Sequence, residues 1–156
     1  MADNAPHREP VVVRTATTAD ADAVGALLLQ LGYPTDQASA AARIARHTVD
    51  PGSTVLVAVR GDAACGLATV HLIPLFHRDG SLARITSFAV SSSSQHRGVG
   101  TLLMAACETF ARTRGAERLE VTSGDRRPGA HAFYEHRGFE REGVRMTRWL
   151  VEADRS

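Results

Sequence analysis

The run Gln95-His96-Arg97-Gly98-Val99-Gly100-Thr101 constrains this chain more than any other stretch, because of what stands on either side of it. Residues 84–90 before it are rich in β-formers and read as a strand, and residues 101–110 after it read as the body of a helix. A strand that enters a helix through close-set glycines turns free backbone N–H groups and the positive helix end toward one point, where an anion is held. Gly98 and Gly100 have no Cβ to keep an oxyanion off the main chain, and Thr101 adds a hydroxyl donor. Two glycines alone also describe an ordinary tight turn. Their place between strand and helix favours a phosphate cradle.

The remaining elements alternate around this unit. Residues 11–14 are a β-branched first strand. Thr17 and Asp20 form an acidic capping box before Val24, Leu27, Leu28 and Leu31, which recur at helical spacing until Gly32-Tyr33-Pro34. A second helix over 36–47 turns Ala41, Ile44 and Ala45 inward and stops at Pro51-Gly52. Residues 54–59 and 65–73 are strands around a Gly61-Asp62 hairpin turn, and Asp79-Gly80 turns the chain into the strand before the glycines. Beyond the third helix, Gly115 is its C′ residue, 118–122 is a strand and 123–128 a loop. Pro128 opens a short helix carrying Ala132, Phe133 and His136, closed by Gly138-Phe139, and 144–151 supplies a last strand. Hairpins first and helical connections later predict one mixed α/β domain over 11–152: a twisted sheet of about six to seven strands with four helices. Residues 1–10 are polar and contain prolines, and read as a flexible N-terminus.

Composition excludes more than it selects. The chain has 156 residues, 44% hydrophobic, which suits one ordinary domain. A net charge of +1 argues against a nucleic-acid partner. No apolar run is long enough for a membrane span and no secretory leader is visible, so the expected compartment is cytoplasmic. All 18 basic residues are Arg, so no lysine is available as a Schiff-base nucleophile. Cys65 and Cys107 lack metal-ligand spacing and read as small buried hydrophobes, and no metal site is expected.

Two motifs together carry a family resemblance. Gln95, Gly98 and Gly100 match Gln/Arg-x-x-Gly-x-Gly/Ala, and Ala130-His131-Ala132-Phe133-Tyr134 is followed after three residues by Gly138-Phe139. In this order, with a helix and a strand between them, they resemble the GNAT superfamily of acyl-CoA-dependent N-acyltransferases. Arg127 and His131 resemble in turn the Arg-x-x-Ala-His-x-Phe-Tyr pattern of a subgroup similar to the aminoalkylphosphonate N-acetyltransferases. The resemblance implies acetyl transfer from acetyl-CoA to an amine, with direct attack in a ternary complex. It implies that the backbone of Gln95, His96, Arg97, Gly98, Val99, Gly100 and Thr101 holds the pyrophosphate of coenzyme A. Phe88, Ala89 and Val90 would pair with pantetheine where the two central strands splay apart, and Arg127 and Phe133 would add cofactor contacts. Tyr134 would protonate the departing thiolate.

The general base is left open. The strand before the cradle offers Arg84, Thr86 and Ser87 but no carboxylate. His71 and His77 are the nearest substitutes, with Glu120 and Asp125 behind them and a water route as another choice. His131 is a further candidate on its helix, against an ordinary surface role. Tyr33 either lines the acceptor site or packs the end of its helix. A small-molecule amine is the expected acceptor, with a protein N-terminal amine as the alternative, and a homodimer is carried as an expectation. The rival to an enzyme is a non-catalytic acyl-CoA-binding or sensing domain.

Overall fold

The computed structural model describes residues 9–122 and 128–152, which fall into two units, Met1–Thr122 and Ser123–Ser156. In the first unit the order is β1 (Val11–Thr15), α1 (Ala21–Gln30), α2 (Gln37–Thr48), β2 (Ser53–Arg60), β3 (Ala63–Pro74), β4 (Ser81–Val90), α3 (Val99–Thr113) and β5 (Ala116–Val121). The strands form one sheet in the order β1-β2-β3-β4-β5. The first four pair antiparallel, and β5 pairs parallel to β4. A parallel neighbour needs a crossover rather than a hairpin, and α3 is that crossover.

Local chemistry sets the helix starts. The Thr17 N–H donates to the Asp20 carboxylate (2.8 Å), whose two oxygens also accept from the Arg14 guanidinium at 2.8 and 2.9 Å. The Arg14 hydrogen bonds hold the Asp20 carboxyl below its usual range. At α2, Asp36 accepts the Ser39 N–H at 2.7 Å. These caps aim α1 and α2 at one face of the sheet. There Val24 and Leu27 of α1 and Ala40 and Ile44 of α2 pack with Val55, Val57, Leu67 and Ala89. Ala45, expected inward, is exposed, because the buried stripe follows Ala40 and Ile44 at i, i+4. On the opposite face α3 buries Val99, Leu103, Met104, Cys107 and Ala111, with Val99 and Leu103 lying over Gly66 of β3.

Two irregularities in β4 matter for the site. Thr69 pairs with Ser87 but Val70 pairs with Ile85, so Thr86 is left over as a bulge. The ladder between β4 and β5 ends at Ile85 and Val121. The two central strands therefore part at the bulge, and residues 86–90 continue past the last β5 pair.

In the second unit α4 spans Pro128–His136. The sequence led us to expect six to seven strands; the described residues hold five, together with the four expected helices. The missing strand is 144–151: residues 139–152 contain neither helix nor strand. The β-propensity of Val144, Trp149 and Val151 is realised only where a neighbouring strand supplies ladder hydrogen bonds, and no described strand pairs with them.

Candidate active site

The edge of β4 beyond the bulge has a defined polarity. The Ser91 N–H donates to the Cys65 carbonyl (2.8 Å), so by antiparallel alternation residues 87 and 89 turn their amide groups to β3 while 88 and 90 turn theirs away. The Val90 carbonyl accordingly accepts from side chains on that other side, from Gln30 Nε2 at 2.8 Å and Gln95 Nε2 at 3.3 Å.

A short 3-10 turn at Ser92–Ser94 then leads into Gln95. His96 has φ +59° and Gly98 φ +80°, so two residues of the loop sit in the left-handed region. A non-glycine residue there costs about 1–2 kcal/mol, and such strain concentrates at functional sites. Gly98 is the N-cap of α3 and brings no side chain to cap it. The N–H groups of Val99 and Gly100 have no acceptor within the helix and point along its axis at the positive end of the dipole. A Cβ built on Gly98 meets nothing within 4 Å, so the space over the loop is open. The two glycines are not equivalent. Gly98 is needed for its φ, whereas Gly100 lies inside the first turn of α3 with no positive φ.

Gln30, at the last position of α1, was not singled out by the sequence. Its amide donates to the Val90 carbonyl while its Oε1 accepts the Ser92 N–H at 3.1 Å, bracketing the point where β4 becomes the loop. Nothing local could signal this, since the partners lie 60 and 62 residues away. If the loop holds the donor's phosphates, Gln30→Ala is expected to weaken acetyl-CoA binding about 5- to 20-fold, the worth of one or two hydrogen bonds. Titration calorimetry checks this, with the melting temperature as a control for folding.

A polar cluster occupies the α1–α2 face of the sheet at the bulge. Ser53, His71, Arg84 and Glu120 stand in one cross-strand row over β2, β3, β4 and β5. The exposed Thr86 hydroxyl lies 2.7 Å from Thr69 Oγ1 and 2.8 Å from His71 Nε2. The His71 ring meets the His47 ring edge-on at 5.1 Å, and His47 Nδ1 is 3.1 Å from Ser53 Oγ. Burial pushes the His71 pKa below the ordinary imidazole range, His47 pushes it further down, and Asp50 opposes both. Glu120 is held below the usual carboxylate range, first by the Arg84 hydrogen bond (2.8 Å) and then by Arg118 (2.9 Å). A carboxylate so engaged is a weak base.

The other expected residues fall elsewhere. His77 is exposed on the turn between β3 and β4, at the end of β4 remote from the loop; residues 81–86 separate it from the bulge by roughly 17 Å. Tyr33 follows α1, is 65% exposed, and donates its N–H to Leu28. Cys107 is buried and its thiol is pushed up to about 12, chiefly by that burial, which disqualifies it as a nucleophile. Arg127 and Asp125 lie outside the described residues.

In the second unit the Phe-Tyr…Gly-Phe motif is a helix stop. Gly138 (φ +85°) is C′: its N–H donates to Glu135 (3.0 Å), and the Phe139 N–H donates to Tyr134 (3.0 Å). The Tyr134 and Phe139 rings meet at 5.6 Å, which is the apolar contact that accompanies this cap. Phe133 packs edge-on against Tyr134 and lies under the Arg137 guanidinium at 5.3 Å. His131 stands one turn before Tyr134 on α4.

The strand order, splayed centre and glycine-capped helix recur in known proteins. Residues 22–139 match the Acetyltransferase (GNAT) family, and the chain belongs to that family and is an N-acetyltransferase. It is 29% identical over 139 residues to an aminoalkylphosphonate N-acetyltransferase of Salmonella typhimurium, covering 88% of this chain and 90% of the relative. Its fold is shared with an aminoglycoside N-acetyltransferase solved in complex with CoA (TM-score 0.80, 17% identity, 94% of this chain and 99% of that one). It is shared as well with glucosamine-6-phosphate N-acetyltransferase from Arabidopsis thaliana (TM-score 0.79, 16% identity, 92% and 100%). Enzymes of this family take their acetyl group from acetyl-CoA. No helix among the described residues is long and apolar enough to cross a membrane.

Proposed function

We propose that this acetyltransferase moves the acetyl group of acetyl-CoA onto a small amine that carries an acidic group, by direct attack in a ternary complex. The observation that carries the proposal is the continuity of β4: the strand parts from β5 at Ile85, runs on to Val90 and leads through a short 3-10 turn into the left-handed loop at the head of α3. The backbone of Gln95, His96, Arg97, Gly98, Val99, Gly100 and Thr101 takes the pyrophosphate. Phe88, Ala89 and Val90 align pantetheine along the strand, so that the thioester lies toward the fork. Tyr134 donates a proton to the thiolate.

His71 is the base we assign. It stands at the bulge, whereas His77 lies at the wrong end of β4 and Glu120 is neutralised by two arginines. With a lowered pKa, His71 stays neutral near pH 7 and is able to accept a proton. The acidic group of the acceptor is suggested by the Salmonella relative and supported by Arg84 and Arg118, which bring two positive charges to the one negative charge of Glu120 beside His71.

A thiol-release assay over matched aminoalkylphosphonates, plain alkylamines, aminoglycosides and an N-terminal peptide tests the proposal. Aminoalkylphosphonates are expected to turn over with at least tenfold higher kcat/KM than alkylamines of the same length. Equal rates would remove the acidic-group assignment. No turnover above acetyl-CoA hydrolysis on any amine would point to an acyl-CoA sensor.

A further inference from the structure

We propose that Thr86 is the entry to a proton path that runs from the acceptor's ammonium through its hydroxyl to His71. The proposal rests on the reading of the fork in β4 as the place of acetyl transfer. Thr86 is the residue that the bulge leaves over, and it is exposed at the point where the β4–β5 ladder stops. Its hydroxyl stands between two partners, Thr69 Oγ1 at 2.7 Å and His71 Nε2 at 2.8 Å. A hydroxyl has one proton and two lone pairs. When Thr86 donates to Nε2 and accepts from Thr69, one lone pair is left for an incoming N–H. The Thr86 oxygen already stands at hydrogen-bond distance from Nε2, so it is the exposed relay between that nitrogen and a substrate at the fork.

The proton count closes. One proton leaves the ammonium for Thr86 Oγ1 as the Thr86 proton passes to His71 Nε2, which regenerates the hydroxyl and gives an imidazolium. The amine lone pair then forms the new C–N bond to the thioester carbon, and the C–S bond breaks with its electron pair on sulfur. The thiolate gains a proton, the acylated nitrogen loses its second one, and the proton on His71 returns to solvent.

The groups around His71 are consistent with that cycle. His47 faces it from α2, Asp50 from just past α2, Ser53 from β2, and Arg84 is its cross-strand partner on β4. Arg84 is engaged by Glu120, which leaves His47 as the neighbouring imidazole and Asp50 as the opposing charge. Two imidazolium rings 5.1 Å apart repel, so His47 favours the neutral, proton-accepting form of His71.

Thr86→Val removes the hydroxyl and keeps the β-branched shape, Thr86→Ser keeps the hydroxyl, and His71→Gln removes the acceptor. With the best amine found, Thr86→Val is expected to lower kcat/KM about 100-fold with an unchanged acetyl-CoA Kd, and Thr86→Ser to recover most of the loss. Wild-type kcat/KM should rise with pH through the His71 pKa, and this limb should vanish in His71→Gln. In His47→Gln it should move to higher pH. Thr86→Val/His71→Gln should be no slower than His71→Gln alone, because both changes cut one path. Wild-type activity in Thr86→Val, or losses that multiply in the double variant, would overturn the relay. So would a loss in Thr86→Val that Thr86→Ser does not recover. A limb that survives His71→Gln and follows the acceptor's own amine would overturn His71 as base. Absence of acetyl transfer by the wild-type protein would instead bring down the underlying reading of the fork.

Discussion

Tyr134→Phe is expected to lower kcat by about 10²–10⁴-fold, the usual worth of general acid assistance, while leaving the acetyl-CoA Kd unchanged. The ring also has a structural job of its own. Tyr134 packs edge-on against Phe133 and Phe139, and its carbonyl accepts the Phe139 N–H that closes α4. A phenylalanine keeps the ring contacts and the backbone bond and deletes only the hydroxyl. Helix termination should therefore be kept, and the melting curve separates any cost of the lost hydroxyl to stability from its effect on rate. Steady-state kinetics, calorimetry and a melting curve decide the matter. A variant that melts earlier but turns over normally would make Tyr134 a packing residue and leave water to protonate the thiolate.

The second large effect is expected at Gly98. Valine there would have to hold φ near +80°, where a β-branched residue is strained by about 1–3 kcal/mol. The added Cβ meets nothing within 4 Å, so a neighbouring side chain would not be displaced. The strain is relieved by flipping the backbone out of the left-handed region, which swings the N–H groups at the head of α3 away from their common point. Acetyl-CoA Kd should rise about 10- to 100-fold, with the amine KM nearly unaltered. Gly98→Asn separates the two causes, since asparagine tolerates this conformation. Affinity retained in Gly98→Asn and lost in Gly98→Val makes backbone shape decisive. Loss in both means that phosphate needs the space a Cβ would fill. Unchanged affinity in both removes the cradle assignment.

Most of the framework was legible because it is local. The capping pair Thr17 and Asp20, the Gly61-Asp62 turn and the glycine ends of the helices each act within a few residues. The bulge was not legible: residues 84–90 show no sign that Thr86 would be left over, because bulges come from register with a partner strand. The same holds for His71 and Thr86, 15 residues apart, and for Gln30 and Val90, 60 apart. Residues 144–151 failed for the opposite reason. Their local preference for strand was plain, and preference without a ladder partner does not make one. Gly98 and Gly100 looked alike in sequence, and only the backbone angles separate their roles.

The continuity of β4 also acts as a ruler. The bulge at Thr86 and the end of the strand at Val90 are joined by four residue steps of extended chain, roughly 13 Å, held straight by pairing with β3. A donor whose phosphates seat in the loop must bring its reactive carbonyl to the fork across that length. A shorter arm stops before the bulge, and a longer one overruns it. One residue inserted between 86 and 90 would lengthen the measure by about 3.3 Å and turn every following side chain to the other face of the sheet. If the loop seats the donor's phosphates as proposed, one strand selects among acyl donors by the span of their arm, independently of any side chain that touches the acyl group.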